Sequence, residues 1–146
     1  MEKNFCKVRS MGDMIIVLLL ILFGFGFIIL PGFSTINIIG IVITLVGIVL
    51  AFTLKSAYQD KDTGEIYSKK ERFFSQTKHE HLKHALACPS KFCSKGEDEG
   101  TTLRLDVYYN DTRVIIQLLE YVPFTYEPCT QFYEHDVDTA AAFIRK

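Results

Sequence analysis

Residues able to do chemistry gather in one short stretch: His79, His81, His84, Cys88 and Cys93, to which folding could add Cys129 and His135. Imidazole and thiolate are the natural ligands of zinc, which takes four of them in a tetrahedron. On a helix turning about 100° per residue, His81, His84 and Cys88 share a stripe roughly 60° wide, and Cys93, beyond Pro89, could close the set from the following loop. The spacing argues against a standard zinc module. Four residues separate Cys88 from Cys93, and no second ligand pair follows. The alternative is an ordinary solvated helix face, since Lys78, Glu80 and Lys83 lie among the histidines. A thiol activity is thinner still: there is no Cys-x-x-Cys, and Cys129 with His135 has no surrounding signature of a nucleophile and its base. Cys6, beside Lys7 and ahead of an apolar run, has the setting of an acylated cysteine as well as that of a free thiol.

Other catalytic patterns are missing. Gly24-Phe25-Gly26 lies inside an apolar run and cannot be a phosphate loop, and no Gly-rich segment ends in Gly-Lys-Ser/Thr. The glutamates are scattered, so no acid/base pair is defined.

The elements that must hold these residues divide sharply in composition. From Met14 to Leu54 the chain has no Asp, Glu, Lys, Arg or His, and Pro31-Gly32 interrupts it once. A bilayer core about 30 Å thick needs roughly 17–25 apolar residues in a spanning helix, and 14–30 and 36–54 both qualify. Each backbone amide must be satisfied within its own segment, so the pair reads as a transmembrane helical hairpin with its turn at 31–35. A cleaved signal peptide is the competitor. The run exceeds the roughly 7–15 residues of a signal core, lacks a small-x-small cleavage pattern, and is followed at once by a second run.

Lys3, Lys7 and Arg9 precede the hairpin, Lys55, Lys61, Lys69, Lys70 and Arg72 follow it, and the turn is uncharged. Basic flanks stay on the cytoplasmic side, which predicts a cell-membrane, multi-pass protein with both termini cytoplasmic: a tail over 1–13 and a domain over 55–146. In that compartment cysteines stay reduced, and the acceptor pattern Asn110-Asp111-Thr112 is incidental. Gly40, Thr44 and Gly47 form a thin stripe on the second span, with Gly24 and Gly26 on the first, either for close approach within the hairpin or for self-association. No ionisable residue marks an ion path, although an oligomeric pore or holin-like hairpin remains a second alternative.

The residues after Leu54 suffice for one small α+β domain, with two β-hairpins forming an antiparallel sheet and two helices. Thirteen Lys and Arg stand against fifteen Asp and Glu there, so nucleic acid is excluded as a partner. Asp60 to Gly64 turns one hairpin between Ala57-Tyr58 and Glu65-Ile66-Tyr67. A second runs through Leu103, Leu105, Val107 and Tyr109, turns at Asn110-Asp111-Thr112, and returns over 113–121. Between them a helix over 76–87 puts Lys78, Leu82, Ala85 and Leu86 on one face behind a Ser75 cap. The segment 94–100 reads as a solvated loop. A short C-terminal helix follows Asp136 as its N-cap, with Val137, Ala140, Ala141 and Ile144 on one face. Tyr121, Phe124, Tyr126, Phe132 and Tyr133 crowd one proline-punctuated segment, either a lid on the core or a set of interface anchors. The function expected from all this is a membrane-anchored, non-catalytic interaction or regulatory domain, with no cofactor. Its partners are the bilayer and another membrane or cytoplasmic protein, or a second copy. The zinc- or thiol-dependent site at His81, His84, Cys88 and Cys93 is the alternative.

Overall fold

The computed structural model describes residues 3–32, 34–92 and 100–145, and the chain divides into two compact units: 7–57, and 1–6 with 58–146. The loop expected over 94–100 falls, except for Gly100, outside the described residues.

The first unit is a pair of long apolar helices, α1 (Met11–Ile29) and α2 (Ser34–Thr53), each long and apolar enough to cross a membrane. The first begins three residues earlier than the apolar run, because Ser10 and Asp13 form a capping box: the Ser10 hydroxyl accepts from Asp13 N–H and the Asp13 carboxylate accepts from Ser10 N–H. The same carboxylate also accepts from the backbone N–H (2.9 Å) and hydroxyl (2.7 Å) of Ser56, just beyond α2. One acidic side chain thus fastens the open end of the hairpin. Along its length the helices meet at glycine. A Cβ on Gly24 would strike Thr44 and lie 2.8 Å from Gly40 O, and one on Gly40 would lie 2.7 Å from Gly24 O. These are backbone contacts that cannot yield, and a Cβ on Gly47 would lie 2.9 Å from the Ile21 side chain, so Gly24, Gly40 and Gly47 face the neighbouring helix within the hairpin, and Thr44 returns its hydroxyl to Gly40 O. Gly26 has nothing within 4 Å.

The second unit is built on an antiparallel sheet with helices. Its strands are β1 (Phe5–Val8), β2 (Ala57–Asp60), β3 (Ile66–Phe74), β4 (Leu103–Tyr109), β5 (Arg113–Val122), β6 (Thr125–Pro128) and β7 (Tyr133–Asp136). They lie in the order β1-β2-β3-β4-β5-β6, and β7 also pairs with β5. Strands β6 and β7 share one edge of β5, opposite its C-terminal and N-terminal halves respectively. The helices are α3 (His79–Ala87), entered through a 3-10 turn at Gln76–Lys78, and α4 (Val137–Ile144).

The alternation read in β4 and the continuous apolar run of β5 correspond to a central pair of strands buried on both faces. One face carries Phe74, Leu103, Leu105, Val107, Ile116 and Leu118 under Leu82 and Leu86 of α3 and Phe143 of α4. The other carries Tyr67, Tyr108 and Ile115 under Phe5, Tyr58 and Phe132.

Several features differ from expectation. The N-terminal tail supplies a strand, whose Phe5 stacks on Tyr108 at 4.1 Å. The first hairpin's return strand runs on to Phe74 through Lys69-Lys70-Glu71-Arg72. Charges lie within a sheet there because they are paired: Lys69 Nζ lies 2.8 Å from Asp106 and 2.6 Å from Glu71, Lys70 donates to Ile144 O, and Arg72 donates to the carbonyls of Ala142 and Phe143 at the end of α4. Burial by itself would depress Lys69, but those two carboxylates outweigh it and hold its pKa above the ordinary value. The inward face of α4 centres on Ala140 and Phe143, with Val137, Ala141 and Ile144 only half-buried. The caps expected at Ser75 and Asp136 sit at the helix starts without side-chain cap bonds.

Candidate functional site

Helix α3 turns Leu82, Ala85 and Leu86 into the core, which leaves His81 and His84 exposed on its outer flank. The helix ends at Ala87. Cys88 is its C-cap, with φ −131° and ψ 82°, so it leaves the helical stripe although it stays exposed and its N–H still reaches His84 O. Cys93 lies outside the described residues. Among the described residues no three His, Cys, Asp or Glu side chains are grouped to hold a metal ion. His79 faces Glu80 at 3.3 Å.

Cys129 and His135 are each engaged with a different backbone carbonyl. The Cys129 thiol donates to Leu118 O at 3.4 Å, and burial, with the Glu120 charge behind it, pushes its pKa up, away from thiolate. The His135 ring donates from Nε2 to Leu86 O at 2.7 Å, tying β7 to the end of α3. Cys6 donates to Gln59 O and joins β1 to β2.

The aromatic segment separates into two groups. Phe132 belongs to the second core, 5.7 Å from Phe5 and 6.5 Å from Tyr108, and Tyr133 packs against the helix-covered core. Tyr121, Phe124 and Tyr126 form the tip of the β5–β6 hairpin. Antiparallel pairing sets Tyr121 opposite Tyr126 and Val122 opposite Thr125, which leaves Pro123-Phe124 to make the turn. Closing so tight a turn puts Phe124 at φ 74°, and it is the only non-glycine residue at positive φ among the described residues. The residue is 97 % exposed. A bulky side chain in the left-handed region is a genuine outlier, and it costs about 1–2 kcal/mol.

The tip is braced from below. Tyr121 and Tyr126 meet edge to face at 5.3 Å, Tyr126 donates its hydroxyl to Thr101 O at 2.6 Å, and the Arg104 guanidinium lies 4.7 Å over its ring. Phe73 meets Tyr126 edge to face at 6.1 Å, and Tyr121's hydroxyl accepts from Phe124 N–H. Arg104 is itself held at 2.9 Å by Asp106. None of Arg104, Phe73 and Thr101 stands out in the sequence. Only the register β3-β4-β5-β6, which sets Phe73 beside Arg104 and Arg104 beside Leu119, brings them to one end of one face. Directly below the tip Glu120 and Glu127 are cross-strand partners, and no Lys or Arg occurs between 114 and 144. The result is one exposed aromatic ring on a braced turn, with two carboxylates next to it along the strands. No protein-family model, curated protein or solved structure matches this chain.

Proposed function

We propose that this protein is a membrane-anchored interaction module without chemistry of its own, held by α1 and α2 as an uncleaved two-span hairpin with both termini in the cytoplasm. The outer faces of the two helices support the anchor: Leu18, Leu22, Phe23, Ile38, Leu45 and Phe52 are all exposed, an apolar surface that water does not tolerate and hydrocarbon does. The basic flanks support the orientation. With the glycine stripe occupied inside the hairpin, self-association loses the surface that favoured it, and the module reading stands ahead of a pore.

The observation that carries the interaction reading is Phe124: an aromatic ring fully in solvent, on strained backbone, over a braced base. Strain at such a site persists where the surroundings enforce it, and it clusters where function uses the geometry. A preorganised aromatic anchor loses little entropy on docking. Its occupant is a protein with an apolar pocket for the ring and a basic rim for Glu120 and Glu127. Those carboxylates disfavour docking on an anionic lipid surface.

Site-specific photo-crosslinking in cells tests this on the full-length chain. A photoreactive phenylalanine at position 124 is expected to give a discrete protein adduct, and one at Asp111, on the turn of the other hairpin, is expected to give none. Identical patterns from both positions, or none from 124, refute the surface. Extraction of the same membranes at alkaline pH tests the anchor: the chain stays with the pellet if the hairpin spans. An impermeant maleimide that labels exposed Cys88 in intact cells would reverse the orientation.

A further inference from the structure

A groove of about 380 Å³ runs along the open end of the helical hairpin, from Arg9, just ahead of α1, to Ile21, more than two turns into it. Its walls are Met14, Ile15, Leu18 and Ile21 from α1, and Ala51 and Leu54 from the end of α2 or just past it. The lining is apolar throughout except at one end, where Arg9 and Asp13 stand. Asp13 is not available to a ligand, since its carboxylate already accepts from Ser10 N–H, Ser56 N–H and the Ser56 hydroxyl and is 5 % exposed. Arg9 is exposed, and so is Lys55, which adjoins Ser56 at the same end.

A slot that is cationic at one end and apolar for the rest matches the two parts of an anionic phospholipid. We infer that this groove holds one such lipid, its acyl chain along Ile15, Leu18 and Ile21 and its phosphate against Arg9. The inference rests on the hairpin spanning a bilayer. The cation falls at the level of the headgroups because it precedes the first apolar residue of the helix, and arginine suits phosphate through its planar fork of donors. Asp13 serves the site by fixing the helix ends without presenting its charge to the lipid.

The test uses the full chain, reconstituted into nanodiscs of equal phosphatidylglycerol and phosphatidylcholine, released, and weighed with its retained lipid by native mass spectrometry. The wild type is expected to keep one lipid, with phosphatidylglycerol favoured about five-fold, the effect of one cation at an anionic surface. Arg9→Gln should keep a lipid but bring the ratio near one. Leu18→Trp, which fills the groove from α1, should remove the retained lipid whatever its headgroup, and Ala51→Leu should do the same from α2. A wild type that shows no headgroup preference, or groove-filling variants that keep lipid as the wild type does, overturns the groove while leaving the anchor intact. Failure of the wild type to enter nanodiscs overturns both.

Discussion

Replacing Phe124 by asparagine should make the protein more stable, the reverse of what removing an aromatic ring normally does. The residue is 97 % exposed. Full burial of a phenylalanine is worth about 1.5–3 kcal/mol, so the few per cent buried here contribute less than about 0.1 kcal/mol. Against that stands the left-handed backbone at φ 74°, which costs a residue with a bulky Cβ substituent about 1–2 kcal/mol and asparagine much less. The expected gain is about 0.5–1.5 kcal/mol. Glycine would relieve the strain in full, about 1–2 kcal/mol, but return about 0.4–1 kcal/mol through its freer unfolded chain, so Phe124→Gly should still gain, by about 0–1.5 kcal/mol. For a domain of this size 1 kcal/mol moves the melting temperature by about 4–8 °C, well within measurement. The chain has no tryptophan, so urea unfolding of the full-length protein in detergent is followed by tyrosine fluorescence and circular dichroism together. As an internal contrast, Phe132→Ala, which empties the second aromatic cluster, should cost at least about 2 kcal/mol. If Phe124→Asn lowers stability by more than about 0.5 kcal/mol, the ring is packed against something within the molecule, and its reading as a free anchor is wrong. If the variant is stabilised and a photoreactive phenylalanine at position 124 gives its discrete adduct, the strain is the cost of a function exercised off the chain.

Three further outcomes follow from the geometry. Gly24→Ala should destabilise the hairpin in detergent by about 1–3 kcal/mol, because its methyl meets Thr44 N at 2.7 Å, while Gly26→Ala, facing open space, should be neutral in the same thermal melts. Glu134, held by Lys3 at 2.6 Å and by Arg113 at 2.9 Å, has its pKa drawn below its ordinary 4.5, chiefly by the Lys3 hydrogen bond. A carboxylate depressed in the folded state stabilises it above pH 4.5 and loses that contribution as pH falls through the lowered value. Acid titration should therefore show wild type and Glu134→Gln converging at low pH, and a constant gap across the range would contradict the pairing. Metal analysis of the purified full-length chain should find no stoichiometric zinc; zinc that is lost in His81→Ala or Cys88→Ser would establish the metal site in place of the interaction reading.

How much of this was legible in the linear chain depended on whether each element's reasons are local. The helical hairpin is local: two membrane-length apolar runs and one Pro-Gly break define α1 and α2 within a few residues. Strands β4 and β5 were legible too, because burial on two faces forces apolar residues at successive positions around an Asn-Asp-Thr turn. The outward face of α3 followed from the spacing of Leu82, Ala85 and Leu86. By contrast β1, β6, β7 and the charged half of β3 carry no periodic signal. Their polar residues are satisfied by groups far along the chain: Lys69 by Asp106, Arg72 by the end of α4, Glu134 by Lys3.

The aromatic segment shows the boundary most sharply. Composition puts five rings between 121 and 133 and stops there, since hydropathy is the same for a ring in a core and a ring at an interface. Pairing β6 and β7 to one edge of β5 turns Phe132 and Tyr133 onto the two cores and lifts Phe124 onto a left-handed turn in solvent. Which rings hold the fold together and which stands in solvent is thus settled by strand register, a relation between residues that no single stretch of sequence contains.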